Sequence, residues 1–400
     1  MTGKRGLIAT FAVLYFVQGT CEPTYGLLAQ PLRAWLLRQG ATPGECARTM
    51  ALAGLPWLLK PLYGPLVDSL RRRGWLVFAS ALAMFGFAML ALRVPSAGWL
   101  GVSLLVPSLG IALGDVATDA LMVEHGQRLR ITGLLQSAQW TASYVGTLLV
   151  GVLGGWLAGD VRLAFTLAAG LCLFGLLGGV LGFQAGRTRP VGKFELRAAW
   201  SPPILHAALF LFLLGFSPFH GLDYAHFTRD LGLSDTHYGR SISLSALFSI
   251  AACLLYGWLS SRVELRKLGH ASVAGSLAST LALLVVEGAW SHYAVSAFTA
   301  FTWTFTLLMQ LDLAARLCPP RYAGTVFALL MGVSNGADSL ASFLGGSLHD
   351  QLAPAWGASG AYALLVVLGA LATVLAWWLA LRLGTLNAAP PPDPSEGGAM

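Results

Sequence analysis

The sequence predicts an all-α membrane protein with 12 transmembrane helices in two pseudo-symmetric six-helix halves. Three observations carry that prediction. The 400 residues are 56% hydrophobic and only 11% charged, with a mean hydropathy of +0.67, whereas a soluble domain carries about 25% charged residues. So few charges cannot cover a water-facing surface, and the bilayer is the solvent. Apolar residues fall in runs such as Trp75 to Leu92 and Ala361 to Leu381, near the roughly 20 residues a helix needs to cross hydrocarbon. The runs do not alternate as the strands of a closed transmembrane barrel would. Third, the chain repeats itself. The stretch from Tyr322, YAGTVFALLMGVSNGADSLASFLGG, echoes ITGLLQSAQWTASYVGTLLVG from Ile131 and aligns Gly324 with Gly133. Likewise LLYGWLSSRVELRKLG aligns Tyr256-Gly257 with Tyr63-Gly64 of PLYGPLVDSLRRRG.

Along the chain the predicted spans are 7–36, 47–69, 75–93, 97–121, 133–158, 163–185, 204–228, 238–261, 268–288, 291–313, 323–349 and 357–382. The first follows a short basic start and runs past signal-peptide length without an A-x-A site, so it reads as a retained span. The connections are short. The longest polar one, with RTRPVGKFELR, divides six spans from six. The expected organisation is therefore an N-terminal half 1–185, a cytoplasmic linker 186–203, a C-terminal half 204–386 and a disordered, Pro-rich cytoplasmic tail 387–400.

A net charge of +7 and a pI near 9.3 do not indicate nucleic acid, because the basic residues sit in clusters between apolar runs. With the N-terminus inside, Lys4 and Arg5, Arg71 to Arg73, Arg128 and Arg130, Arg187 to Arg197, Arg262 to Lys267, Arg316, Arg321 and Arg382 face the cytoplasm. That is about 17 of the 25 Lys and Arg, against about 7 outside, and the positive-inside rule puts both termini in the cytoplasm. A bacterial inner (plasma) membrane is the expected location. Cys21, Cys46, Cys172, Cys253 and Cys318 show neither metal-ligand nor disulfide spacing. No cofactor is expected.

The sharpest motif closes the second span: Gly64-Pro-Leu-Val-Asp68-Ser-Leu-Arg71-Arg72-Arg73. Gly64 permits close helix approach. Asp68 can pair with cations and accept backbone hydrogen bonds from neighbouring helix ends, a latch that must break when the cytoplasmic side opens. Asp119, near the cytoplasmic end of the fourth span, is expected to join Asp68 and the arginines there.

Ionisable residues inside spans point to substrate or proton sites, because each is costly in hydrocarbon without a cavity or a partner. Glu22 lies in Gln18-Gly-Thr-Cys-Glu22-Pro23-Thr-Tyr25, where Pro23 removes a backbone donor and can break the helix. It is the first choice for binding or for carrying a proton, with Gln18 and Tyr25 beside it; pairing with Lys60 or Arg33 is the structural alternative. Asp115 and Asp119 are i and i+4 and share a helix face, and Asp115, the deeper one, is a cavity candidate with Lys60. Gln136, Gln139, Trp140 and Tyr144 form a polar-aromatic stripe suited either to a flat heteroaromatic ligand or to helix packing. In the second half the polar positions are His220, Asp223, His226, Gln310, Asp312, Asn335 and Asp338. Of these, Asp223, Asn335 and Asp338 are the binding or coupling candidates, while His220 reads either as a hydrogen-bonded helix partner or as a proton relay. No ATP-binding loop, metal-ligand cluster or nucleophile set appears, so a gradient rather than chemistry supplies the energy and the chain is not expected to be an enzyme.

The span-two motif resembles the G-x-L-x-D-R-x-G-R-R signature of the major facilitator superfamily. Six-plus-six topology with parallel repeats is also how such transporters are built, with a central site and alternating access. YFVQG (Tyr15–Gly19), GLPWLLKPLYGPLVDS (Gly54–Ser69), GDVATDALMVE (Gly114–Glu124), GLLQSAQW (Gly133–Trp140) and LAARLCPPRYAGTVFALLMGVSN (Leu313–Asn335) together resemble the folate-biopterin transporter family. That resemblance implies a proton-coupled importer of folates or pterins, with Lys60, Asp68, Asp115, Asp119, Gln136, Trp140, Arg316 and Asn335 at motif positions. The segment after YFVQG departs from the folate carriers and is closer to muropeptide and acetyl-CoA permeases or siderophore importers. The expected partners are therefore a small anionic, partly planar substrate, protons and the lipid bilayer, with no nucleic acid, for a monomeric importer. A drug-type exporter and a non-transporting membrane sensor are the competing classes.

Overall fold

The computed structural model describes residues 4–23, 26–41, 43–69, 71–157, 159–183, 201–223, 226–319 and 322–387; most of the linker, all but one residue of the tail and Tyr25 lie outside them. Among these residues there are fourteen α-helices and no strand. In the first half they are α1 (Lys4–Cys21), α2 (Ala29–Arg38), α3 (Pro43–Leu58), α4 (Lys60–Ser69), α5 (Arg72–Leu92), α6 (Ala97–Leu129), α7 (Thr132–Leu157) and α8 (Val161–Leu181). In the second half they are α9 (Pro202–Gly215), α10 (Asp235–Leu259), α11 (Leu265–Ala282), α12 (Ala289–Leu317), α13 (Ala323–Trp356) and α14 (Ala358–Leu383).

Among the described residues seven helical stretches are long and apolar enough to cross a membrane, in α5, α6, α8, α10, α11 with its following turn, α12 and α14, and α9 is a shorter apolar helix. Large apolar side chains such as Leu92, Leu181, Leu254, Leu371 and Leu381 stay exposed. Such a surface suits lipid and is costly in water.

Three predicted spans are interrupted beside proline; that at 47–69 divides at Leu59, between Pro56 and Pro61, into α3 and α4. In the first, α1 ends at Cys21, and the turn after Glu22-Pro23 is closed by Glu22 N–H donating to the Gln18 carbonyl (3.0 Å), Gly26 N–H to the Glu22 carbonyl (2.8 Å) and Leu27 N–H to the Thr20 carbonyl (2.8 Å). The chain re-enters helix at Ala29. The span expected at 204–228 is not one helix. It stops at Gly215, and after Pro218 it continues as a 3₁₀ turn (His220–Leu222) and a π turn (His226–Asp230). Pro218 brings no N–H and disfavours helical backbone at Ser217, so the helical ladder cannot run through.

The chain clusters into two compact units, one of Met1–Arg128, Leu135–Phe194 and Pro320–Leu329, the other of Leu129–Leu134, Glu195–Pro319 and Leu330–Met400. In unit 1, α8 packs along both α5 and α1, and Val17, Cys21, Leu28, Phe87, Leu104 and Phe165 form a dense core. In unit 2, α12 packs along α10 and α11, and α14 along α9. There Phe219, Phe227, Tyr362 and Leu365 pack around the interrupted helix.

Candidate functional site

In unit 1, α1, α4, α6 and α7 bring one cation and two carboxylates together. Lys60, the first residue of α4, forms a buried ion pair with Asp115 of α6 and lies 3.9 Å over the Trp57 ring. Gln18 of α1, with its amide oriented to satisfy both groups, accepts from the Asp115 N–H (2.8 Å) and donates to the Asp115 carboxylate (3.3 Å). One turn on, the Tyr15 hydroxyl donates to Asp119 at 2.5 Å. Tyr15 lies 6.2 Å from Trp140, and Trp140 lies 5.8 Å from Tyr144, between ring centroids. The sequence candidates Gln18, Lys60, Asp115, Trp140 and Tyr144 therefore belong to one assembly, and Asp119 belongs to it through Tyr15. A small cavity beside Gln18 is lined by Val17, Ser80, Gly114, Thr118 and Cys172.

The face of α7 in this unit is under-bonded. Gln139 is fully buried, and among the described residues neither end of its amide has a partner; the same holds for the Gln136 carbonyl oxygen and the Trp140 indole N–H. Each such buried group costs about 1–3 kcal/mol unless water or a ligand meets it. Glu22 is 4% exposed at the break after α1, which places a carboxylate against unwound backbone.

The Asp68 motif is built as a helix-end latch within unit 1. Asp68 accepts from Arg72 (2.8 and 3.2 Å), from the Gly324 and Thr325 N–H groups (3.1 and 2.7 Å) and from the Thr325 hydroxyl (2.8 Å). The carboxylate therefore caps the first turn of α13, where unpaired N–H groups and the helix dipole favour an anion. A Cβ on Gly64 would lie 2.6 Å from the Thr325 Cα, so only glycine lets the two backbones meet. Arg73 donates to the Gly179 and Val180 carbonyls at the end of α8, while Arg71 is exposed. The acidic partner that α6 gives Arg72 is Glu124, at 2.9 Å; Asp119, expected beside the arginines, is engaged by Tyr15 instead.

Unit 2 contains a counterpart that the sequence shows only as a polar position. Asp312, fully buried, accepts from Arg316 four residues on (2.9 and 3.1 Å), from the Tyr256 hydroxyl (3.1 Å) and from the Thr132 hydroxyl at the start of α7. A Cβ on Gly133 would lie 2.6 Å from the Ser260 Cβ. The Asp-x-x-x-Arg spacing, shared with Asp68–Arg72, was the available signal, and so was the 193-residue offset that relates Asp312 to Asp119. Elsewhere in unit 2, Asp223 accepts from the Tyr362 hydroxyl (2.8 Å), His220 approaches Asp338 (3.4 Å), Ser334 reaches Gln310 (3.4 Å), and Asn335 is exposed.

Comparison with known proteins gives this geometry a family. The model of the Major Facilitator Superfamily matches residues 40–337. The chain is 29% identical over 391 residues to a folate-biopterin transporter of Synechocystis sp., covering 90% of this chain and 78% of that protein. It is 24% identical over 432 residues to probable folate-biopterin transporter 4 of Arabidopsis thaliana, covering 85% and 87%. In fold it is similar to a bacterial homologue of the iron transporter ferroportin in an outward-facing state, with a TM-score of 0.70 at 16% identity over 96% of this chain and 100% of that one. With the Lys60–Asp115 and Arg316–Asp312 pairs largely buried, large apolar side chains exposed and a family match over most of its length, this is a membrane transporter, and the chain belongs to the Major Facilitator Superfamily.

Proposed function

We propose that the chain is a proton-coupled importer of a small, anionic, partly planar solute of the folate or pterin class, working by alternating access through twelve spans with both termini in the cytoplasm. The observation that carries this reading is a pair of matched helix breaks. Pro23 and Pro218 interrupt the first helix of each half 195 positions apart, close to the internal repeat offset. Discontinuous helices at equivalent positions of two repeats free backbone groups for a binding site. Ionisable residues flank both breaks: Glu22 in one, His220 and Asp223 in the other.

The Lys60–Asp115 pair suggests how charge and cargo are linked. An anionic solute takes Lys60 from Asp115, and a proton on the unit 1 carboxylates, Glu22 foremost, offsets the negative charge left behind, since an unpaired buried charge is prohibitively costly. Tyr15, Trp140 and Tyr144 offer ring faces for a flat solute, and the unpartnered amide of Gln139 offers one donor and one acceptor to a heteroaromatic edge. The folate-biopterin relatives support this cargo class.

The departure of the Thr20 to Pro31 segment from the folate pattern favours a second reading, a siderophore or muropeptide importer. Equilibrium binding of radiolabelled folate to the detergent-purified protein separates the two. Saturable binding displaced by unlabelled pterin, and weakened about tenfold or more by Lys60→Ala, supports the first. Folded protein that binds neither folate nor pterin refutes it.

A further inference from the structure

The break in unit 2 is tightly seated. A Cβ on Gly215, the last residue of α9, would lie 2.8 Å from the Ser334 carbonyl oxygen of α13, and one on Gly369 of α14 would lie 2.8 Å from the Phe219 ring. Held between these two helices, the 3₁₀ turn presents His220 Nδ1 to Asp338 Oδ1 at 3.4 Å, with the two side chains 40% and 52% exposed. An exposed carboxylate near the middle of the 34-residue α13 faces water, because hydrocarbon would not hold it. The titratable groups around His220 are Asp338 from α13, Asp223 from the same turn and Tyr362 from α14, whose hydroxyl donates to Asp223 at 2.8 Å. Farther along, His226 pairs with Asp230 at 3.0 Å.

We infer that His220, paired with Asp338, binds a second coupling proton of the transport cycle. The inference rests on the proton-coupled reading above. Within the proposed cargo class, folate carries two carboxylates and so brings in two negative charges, each moving against an inside-negative potential. One proton leaves the cycle moving net negative charge inward; two make it neutral. The carboxylates of unit 1 take the first. In unit 2 an imidazole, which titrates near neutral pH, takes the second: it binds H⁺ to become imidazolium beside the Asp338 carboxylate and returns the same proton on the other side. No other bond forms or breaks.

Two measurements test this, one of them independent of cargo. In protein labelled with ¹⁵N-histidine, the His220 resonance, assigned by its loss in His220→Asn, reports gain of a proton within the pH range over which uptake responds to the gradient, and Asp338→Asn moves the midpoint of that change. In proteoliposomes, the initial rate of radiolabelled folate uptake rises with roughly the second power of external proton concentration in the wild type and the first power in His220→Asn and Asp338→Asn. His349→Asn, which removes a histidine beside Asp350 elsewhere on α13, keeps the wild-type order. A His220 that holds one protonation state across that range, or a His220→Asn variant with wild-type proton order, overturns the inference, as does wild-type uptake that ignores the gradient. Should folate not be carried while the Asp338-dependent titration stands, the cargo reading fails and the proton site is upheld.

Discussion

Asp68 holds Thr325 twice, through its backbone N–H at 2.7 Å and its hydroxyl at 2.8 Å, although the two residues are 257 positions apart in sequence. With Gly324 and Arg72 on the same carboxylate, Asp68 has no room for an amide. Asp68→Asn leaves Arg72 with Glu124 as its acidic partner but takes the anion from the α13 first turn, and is expected to cost about 3 kcal/mol. Thr325→Val loses one hydroxyl bond, about 1–2 kcal/mol. Thermal unfolding of the purified variants checks the order, and a folding defect no larger in Asp68→Asn than in Thr325→Val would count against the latch.

Helix approach at Gly64 gives a steric prediction. Its missing Cβ would fall 2.6 Å from the Thr325 Cα and 2.9 Å from the Gly324 carbonyl oxygen, both backbone atoms that cannot rotate aside. Gly64→Ala is therefore expected to lower the unfolding midpoint and cut uptake about tenfold, an overpacking cost of about 1–3 kcal/mol. Gly98, with nothing within 4 Å of its Cβ position, serves as the comparison. Gly98→Ala should stay within about 0.5 kcal/mol of wild type.

For Lys60 and Asp115 the sign of a double-mutant cycle is informative. Lys60→Met leaves a buried carboxylate with no cation, a change expected to destabilise by about 3–5 kcal/mol, whereas Lys60→Met with Asp115→Asn removes both charges and recovers much of that loss. Transport stays lost in both, since the anion would have no cation to meet. Unfolding midpoints in detergent, measured beside uptake, separate stability from function.

Much of the fold was legible because bilayer physics writes it into composition: apolar runs and a repeat each have one cheap explanation. Glu22-Pro23 announced its own break, since proline removes a specific hydrogen bond. The break at Pro218 went unread because the flanking residues stay apolar to Phe219, and hydropathy does not register a lost ladder. Asp119 was assigned by depth along its helix, whereas its partner is set by which face meets Tyr15. Asp312 has a partner, Thr132, 180 residues away, a distance at which spacing rules are silent.

The same counterpart yields a fourth prediction. Thr132→Val and Tyr256→Phe each remove one hydroxyl donor from the fully buried Asp312, at about 1–2 kcal/mol apiece. Because both donors serve one carboxylate, their effects should not add. The unfolding midpoints of the two single variants and the double variant check this; strict additivity would mean that Asp312 does not link them.

The most direct measurement is uptake of radiolabelled folate into proteoliposomes with and without an inward proton gradient, comparing wild type with Glu22→Gln. Proton coupling at the unit 1 carboxylates predicts gradient-stimulated accumulation in the wild type and its loss in Glu22→Gln. Gradient-driven accumulation that survives in Glu22→Gln, or no folate uptake by folded, correctly oriented wild-type protein, would contradict it.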